Sequence, residues 1–248
     1  MVSRRSRVQP MVRYVDQELA IIELHVSLTT WAQPPEMPLR ELQVLLEVRG
    51  SDGFFDEQYL PLRLGPSQTG MVRYEMVHPQ RWWPAGMGEQ VLYELTITLL
   101  RDELVFDHHS AMVGLTSVRL AQDDAPTTLL VNGQRVEIAS IVAVDQVDES
   151  RMLPATGSSL LVVRDHYGTD VLYDAADRAG ILMVQCVPIH PEARPEHEVR
   201  AEVQRLAGHP SLAGWYVGHL GRISDTVATY LRDLDPTRAV FREMPGAA

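Results

Sequence analysis

Residues 159–187 read SLLVVRDHYGTDVLYDAADRAGILMVQCV, and this stretch decides the fold class of the second half of the chain. The apolar run at residues 159–163 predicts a strand, residues 169–179 predict a helix that ends at Gly180, and residues 181–187 predict another strand. A strand, a helix and a strand in this order are typical of a crossover between parallel strands. The segment therefore predicts a parallel sheet with packed helices.

The same alternation continues on both sides of this stretch. Three further apolar runs predict strands at residues 136–144, 213–217 and 239–241. Two further segments predict helices at residues 196–207 and 223–234. The second half of the chain is therefore predicted to be an α/β domain with five strands.

The first half of the chain has a different pattern. Apolar and polar residues alternate over residues 22–28 and again over residues 42–48, which is the period of a strand. Loops rich in Gly and Pro separate such runs, and about seven strands result. This spacing predicts an antiparallel sandwich of about 100 residues, the size of an immunoglobulin-like domain.

Composition limits the partners and the compartment. The 248 residues carry a formal net charge of −11, which argues against nucleic acid and anionic membranes as partners. No apolar run reaches the length of about eighteen residues that a membrane span needs, so we predict no transmembrane segment. The single cysteine, Cys186, lies in an apolar run and is expected to be a buried thiol in a cytoplasmic protein.

The stretch RWWPAGMGEQVLYEL at residues 81–95 resembles the segment of family 2 glycoside hydrolases, such as beta-mannosidases and beta-galactosidases, that leads into the last strands of their immunoglobulin-like domain. Further stretches resemble the same family in the same order. They are VGLTSV at 113–118, LLVNGQ at 129–134, LYDAADRAGIL at 172–182, GHPSLAGWYVGHL at 208–220 and DPTR at 235–238. The resemblance implies an immunoglobulin-like β-sandwich followed by a truncated, half TIM-barrel-like α/β domain.

This resemblance sets the domain bounds that we predict. A flexible N-terminal tail covers residues 1–10, and the immunoglobulin-like β-sandwich covers residues 11–122. The truncated (β/α) barrel-like domain covers residues 127–248.

The resemblance also implies where the chemistry would take place. The family's fourth barrel strand ends in an Asn–Glu pair whose Glu is the general acid/base, and here that pair is His219 and Leu220. Leucine cannot transfer a proton, and the family's nucleophilic Glu lies on a later strand. Because retaining glycosidases need two carboxyl groups about 5 Å apart, we predict a pseudoenzyme with no catalytic residues and a degenerate acid/base position at His219 and Leu220.

Without chemistry, the expected role is that of a structural, accessory subunit that binds other proteins in a larger assembly. The open sheet edge of a half barrel favours protein partners, because unpaired strand edges need a cover. A bacterial photosynthetic reaction-centre complex is one such assembly, which would place the protein at the periphery of a membrane complex. The alternatives are a carbohydrate-binding module and a residual glycosidase with a composite site formed by dimerisation.

The candidate sugar-binding or interaction residues lie in two places. Asp165, His166 and Tyr167 follow the second barrel strand, where the family places sugar-contacting groups. The aromatic candidates are Trp82, Trp83 and Trp215. The competing interpretation places Trp215 in the core and the other two tryptophans near the domain junction, one of them partly exposed.

We expect no cofactor and no metal site. The adjacent His108 and His109 point to opposite faces of a strand, so they do not form one ligand set. His209 precedes Pro210 and is expected to have a capping or hydrogen-bonding role.

Overall fold

A computed structural model describes residues 6–28, 41–121, 128–144, 159–188, 195–219 and 221–243. Within these residues the first half of the chain consists of strands. They are β1 (Ser6–Val15), β2 (Leu19–Leu28), β3 (Glu41–Gly50), β4 (Phe55–Arg63), β5 (Thr69–Val77), β6 (Tyr93–Arg101) and β7 (Leu104–Val113).

These seven strands form two antiparallel sheets, ordered β1-β2-β5 and β4-β3-β6-β7. In β2 the buried positions alternate strictly with half-buried ones, because successive side chains of a strand point to opposite faces. The inward side chains of both sheets form one apolar core. The prediction of a seven-stranded β-sandwich is therefore confirmed.

The predicted flexible tail is wrong for residues 6–10, which form the first part of β1. Ser6 lies opposite Leu28 and Pro10 lies opposite Leu24 in the antiparallel ladder with β2. The polar residues of this segment gave no period-two pattern, but Ser6 is buried and bonded to β7, which fixes the start of the strand. The predicted domain boundary at residues 122–127 lies outside the described residues.

The second half begins with a small antiparallel sheet and continues as alternating strands and helices. Its strands are β8 (Val118–Leu120), β9 (Leu129–Val131), β10 (Gln134–Val136), β11 (Ser140–Val144), β12 (Ser159–Val163), β13 (Leu182–Cys186), β14 (Leu212–Tyr216) and β15 (Ala239–Phe241). Its helices are α1 (Asp170–Ala179), α2 (Pro195–Leu206) and α3 (Arg222–Leu234).

Strands β11 to β15 form one parallel sheet in their order along the chain, as the sequence predicted. The single strand predicted at residues 136–144 is two strands instead. The first, β10, pairs antiparallel with β9, and the second, β11, pairs parallel with β12. A chain that joins two sheets must turn between them, and an apolar pattern alone does not show this turn.

Helix α1 has the ends that its sequence predicts. The Thr169 side chain accepts a hydrogen bond from the backbone N–H of Leu172, and Gly180 ends the helix in the left-handed conformation. Leu172, Tyr173 and Ala176 are buried against the sheet.

The two faces of the parallel sheet are covered differently. All three helices pack on one face, against Leu161, Val163, Met183, Trp215 and Val240. The other face packs on strands β8 to β10 and on Trp82, through Leu160, Val162, Leu182, Val184 and Phe241. The three described helices therefore all lie on the same side of the parallel sheet. None of the described helices combines the length and the apolar character that a membrane span requires.

Candidate functional site

The carboxyl ends of β12 to β15 lie side by side, because these strands are parallel neighbours. We call this edge of the sheet the carboxyl edge. Its loops are residues 164–169, 187–188, 217–219 and 242–243, which follow these four strands. In folds of parallel strands and helices, ligands bind at this edge, because each loop there can present side chains to the same space. It is the first place where a functional site is expected.

The loop after β12 presents the three residues that the sequence singled out. Asp165 is exposed and has a left-handed backbone with φ of 58°. His166 and Tyr167 are half-buried, and the His166 backbone N–H donates to the Arg164 carbonyl over 2.7 Å. All three lie at the carboxyl edge, as the resemblance implied.

The loop after β14 contains the predicted degenerate acid/base position. His219 is exposed at its end, and Leu220 lies outside the described residues. The Ser224 hydroxyl donates to the Val217 carbonyl over 2.9 Å, and Arg242 donates to the Gly218 carbonyl over 3.3 Å. The loops after β14 and β15 are thereby tied together.

Gln185 was missed by the sequence analysis, although a glutamine inside an apolar strand was a usable signal. Its side chain is fully buried, and its amide makes four hydrogen bonds to residues near the loop after β12. Buried polar groups of this kind are retained where they fix a particular geometry. Gln185 therefore belongs to the architecture of the carboxyl edge.

Two of the three tryptophan candidates are inaccessible to a ligand. Trp215 is fully buried, and its indole N–H donates to Asp235 over 2.9 Å. Trp82 is also fully buried, and its indole N–H donates to the Asp177 carbonyl of α1 over 2.8 Å. Sugar stacking by these two rings is thus a wrong prediction, because no ring face reaches solvent, whereas their core and junction interpretations are confirmed.

Trp83 is the partly exposed member of the tryptophan pair. Its ring lies 5.1 Å from the Arg81 guanidinium, which stacks over it. It lies in the segment before β6 rather than at the carboxyl edge.

Cys186 ends β13 and is half-buried rather than fully buried. Burial raises the pKa of its thiol to about 11, with the nearby Asp165 carboxylate adding to the effect and Arg164 opposing it. The thiolate is the nucleophilic form of cysteine, so this thiol is a poor nucleophile at neutral pH.

His209 has the hydrogen-bonding role that its position predicted. Its Nδ1 lies 2.7 Å from Asp177 Oδ2 and 3.9 Å from Asp174 Oδ1. The ligand atoms of these three residues lie within 4.8 Å of one another. Asp177 uses its other oxygen to accept the Ser211 N–H over 3.0 Å, so the group is accounted for as a hydrogen-bonded cluster at the start of β14.

A serine, an aspartate and a histidine meet at the seam between β1 and β7. The Ser6 hydroxyl lies 2.8 Å from both Asp107 Oδ2 and His109 Nε2, and the same Asp107 oxygen lies 3.5 Å from that nitrogen. In a hydrolase triad the aspartate holds the opposite ring nitrogen from the one that faces the serine. This cluster therefore joins two strands and does not activate the hydroxyl.

The cluster borders a cavity of about 680 Å³ between the sandwich and the helices of the second half. Ser6 and His109 line its sandwich side, and Asp174, Arg205 and His209 line its other side. Most of these groups are already paired with protein atoms. None of the described residues that line the cavity belongs to the loops at the carboxyl edge, although Arg205 also donates to the Gly168 carbonyl.

Comparison with known proteins identifies part of the chain. Residues 41–115 match the family model described as glycosyl hydrolases family 2. Beta-mannosidase A of Neosartorya fischeri is 28% identical over 213 residues, which are 70% of this chain and 22% of that protein. Exo-beta-D-glucosaminidase of Streptomyces avermitilis is 27% identical over 175 residues, which are 58% of this chain and 19% of that protein. The chain thus spans about a fifth of these relatives.

Solved structures of similar fold cover nearly the whole chain. Beta-D-mannosidase from Dictyoglomus thermophilum superposes with a TM-score of 0.74 at 20% identity, over 97% of this chain and 35% of that one. An exo-chitosanase from Amycolatopsis orientalis superposes with a TM-score of 0.71 at 17% identity, over 98% of this chain and 33% of that one. At these identities the likeness shows the fold.

The comparisons overturn two predictions. We predicted a non-catalytic accessory subunit, with a photosynthetic reaction-centre complex as a candidate assembly, and we predicted that the protein is not an enzyme. Both are wrong, because the relatives are named as glycosidases, among them beta-mannosidases and an exo-glucosaminidase. Both predictions rested on the leucine at position 220, and one position does not decide the function of a whole site.

Proposed function

We propose that this chain, which carries a domain of glycosyl hydrolase family 2, forms the sugar-binding part of a β-glycoside hydrolase that acts on β-mannosides. The observation that carries the proposal is the gathering of polar loop residues at the carboxyl edge of the parallel sheet. The names of the beta-mannosidase relatives support the choice of sugar. The relatives named for glucosamine substrates make β-glucosaminides the second class to test.

In this proposal the parallel sheet corresponds to the first five strands of a (β/α)8 barrel. Two features support the correspondence: the strands are spatial neighbours in chain order, and the described helices α1 to α3 all pack on the same face. A barrel has this arrangement, whereas a doubly wound sheet carries helices on both faces. The face covered by β8 to β10 then corresponds to the barrel interior.

Asp165, His166 and Tyr167 are the proposed sugar contacts. An exposed carboxylate accepts hydrogen bonds from sugar hydroxyls. The Tyr167 ring packs in part against the core on the helix side of the sheet, so its exposed part is what would meet the C–H groups of the sugar. Their loop follows β12 directly, so the strand holds its start in place.

His219 is the proposed proton donor at the end of β14. Among residues 217–221 it is the side chain that can act as a general acid. Leu220 next to it has no proton to give. Hydrolysis with retention also needs a carboxyl group about 5 Å from the proton donor, so binding and turnover are best measured separately.

The test uses the chain as it exists. We expect calorimetric titration to detect methyl β-mannoside, and Asp165→Asn to weaken its affinity about tenfold, the loss expected from one or two charge-assisted hydrogen bonds. Asp233→Asn on the exposed face of α3 makes the same charge change and should leave the affinity unchanged. Hydrolysis of methyl β-mannoside, whose alkoxide leaving group must be protonated to depart, should fall in His219→Ala while the binding affinity is kept.

Two outcomes count against the proposal. Absence of binding heat across β-mannosides and β-glucosaminides, together with absence of methyl β-mannoside hydrolysis, overturns it. If the wild type and Asp165→Asn bind the sugar equally strongly, the sugar does not bind at the loop after β12.

A further inference from the structure

We infer that Gln185 is a positioning residue for sugar binding, because it holds the loop after β12 in the shape that presents Asp165, His166 and Tyr167. The inference deepens the proposed function and rests on it, since the ligand is the sugar of that proposal. Gln185 itself is fully buried and lies on the helix-facing side of the sheet. It therefore acts through the loop and not by touching the ligand.

The side-chain amide of Gln185 makes four hydrogen bonds. Its oxygen accepts from the Gly168 backbone N–H over 3.0 Å and from the Tyr173 hydroxyl over 3.1 Å. Its nitrogen donates to the His166 carbonyl over 2.7 Å and to the Cys186 carbonyl over 2.7 Å. An amide side chain has two donor and two acceptor positions, so every one is used.

Two of these four bonds end on the backbone of the loop. They fix the carbonyl of His166 and the N–H of Gly168, and Tyr167 is held between them. The left-handed backbone of Asp165 lies directly before this segment. A residue with positive φ outside glycine is stable only where its surroundings determine it. The bonds from Gln185 supply such surroundings one residue away.

The other polar group of Gly168 is held from a second element. The Gly168 carbonyl accepts from Arg205 of α2 over 2.8 Å, and the same guanidinium pairs with Glu202 over 2.6 Å. The glycine is itself required, because a Cβ at position 168 would lie 2.9 Å from the ring of Tyr173. Strand β13 and helix α2 thus fix the end of the loop from two directions.

A glutamate at position 185 separates the positioning role from simple loss of packing. It keeps the shape of the side chain and an oxygen for Gly168 and Tyr173, but the ionised form loses both donors. A negative charge then faces the carbonyl oxygens of His166 and Cys186, which pushes the loop away. The matched control is Gln134→Glu on β10, which makes the same change at an exposed position.

The experiment measures two quantities on the full chain. We expect Gln185→Glu to weaken methyl β-mannoside binding at least about tenfold and to accelerate hydrogen exchange at the Gly168 amide, with the far-ultraviolet circular dichroism unchanged. When the pH falls and the new carboxyl group takes up a proton, one donor returns. The affinity ratio of variant to wild type should then recover, a response that a merely structural defect does not give.

Two further variants keep the test informative if Gln185→Glu does not fold. Arg205→Met removes the bond to the Gly168 carbonyl from a side chain that is one quarter exposed, and it should weaken binding in the same direction. Tyr173→Phe removes a bond to the same Gln185 oxygen but leaves both loop bonds, so it should lower stability and keep the affinity.

The failures can be told apart. If the wild type binds mannoside and Gln185→Glu binds it equally well with unchanged exchange at Gly168, the inference is overturned while the proposed function stands. If the wild type binds no sugar, the proposed function falls and the inference falls with it.

Discussion

Arg238 is a buried residue that helps to join the two halves of the chain. Its guanidinium donates to the Thr116 carbonyl at the end of the sandwich over 2.7 Å and to the His209 carbonyl over 3.0 Å. The residue is 4% exposed. Burial lowers the pKa of Arg238, and the nearby carboxylates of Asp235 and Asp177 oppose this shift.

We expect Arg238→Met to lower the free energy of unfolding by about 2–4 kcal/mol, because the carbonyls of Thr116 and His209 would lose a charged donor in the interior. The buried Asp235 would also lose a nearby positive charge. Urea denaturation measures the change. Arg222→Met, at an exposed position of α3, removes the same charge and should change stability by less than about 0.5 kcal/mol. Equal effects of the two variants would show that the hydrogen bonds of the buried guanidinium contribute nothing.

At the residue scale the sequence predicted side chains that lie in regular patterns. Trp215 in an apolar strand was expected to be core, and His209 was expected to form a hydrogen bond; both expectations are confirmed. Gln185 and Arg238 were missed, because their value depends on backbone groups of distant residues that sequence spacing does not bring together. The role of a buried polar residue follows from its hydrogen-bond partners, and these partners are known only once the fold is known.

At the element scale, β1 and β7 come from different sheets of the sandwich and are joined by the cluster of Ser6, Asp107 and His109. Burial alone would raise the pKa of the Asp107 carboxyl. The hydrogen bonds from Ser6 and from the His108 backbone, with the nearby His109, outweigh burial and hold this pKa below its ordinary value.

A lowered pKa in the folded state makes the stability of this seam dependent on pH. The contribution of Asp107 is complete above the ordinary pKa of 3.8 and is lost as the pH falls through the lower pKa of the folded protein. We therefore expect Asp107→Asn to be less stable than the wild type near neutral pH and to lose less stability on acidification below about pH 4. Urea midpoints measured over this range test it.

Asp102→Asn is the matched control for the pH measurement, because Asp102 lies in the turn between β6 and β7 and is 88% exposed. Its pH profile should follow that of the wild type. If the stability of Asp107→Asn changes with pH in parallel with that of the wild type, the cluster between β1 and β7 does not contribute to the pH dependence.

The elements themselves followed the sequence closely where periodicity was strong. Residues 159–163 and 239–241 were predicted as strands with the bounds that the structure has, and the helix predicted at residues 169–179 is present at Asp170–Ala179 and ends before Gly180 as predicted. The start of β1 and the division between β10 and β11 were missed. In both cases the bounds of the strand depend on the strand with which it pairs, and the local sequence pattern does not show that pairing.

At the scale of the whole molecule, the order of the family-like stretches predicted a sandwich followed by parallel strands and helices, and this arrangement is present. The contacts between the two halves were not predictable in detail. Trp82 bonds to α1, and Gly114 packs against Pro210. These contacts bring together residues about 95 positions apart, and they make the two halves pack as one unit.

A substitution at Gly114 tests whether the two halves pack and unfold as one unit. A Cβ at this position would lie 2.2 Å from Pro210 Cγ, so even alanine must displace the sandwich from the segment before β14. We expect Gly114→Ala to lower the free energy of unfolding by about 1–3 kcal/mol through overpacking. Its calorimetric transition should also broaden or split, because the two halves lose part of their shared contact. Gly65→Ala is the control, since its nearest contact would be an ordinary 3.5 Å and lies within the sandwich. A single transition in Gly114→Ala, as sharp and as high as in Gly65→Ala, would mean that this contact does not couple the halves.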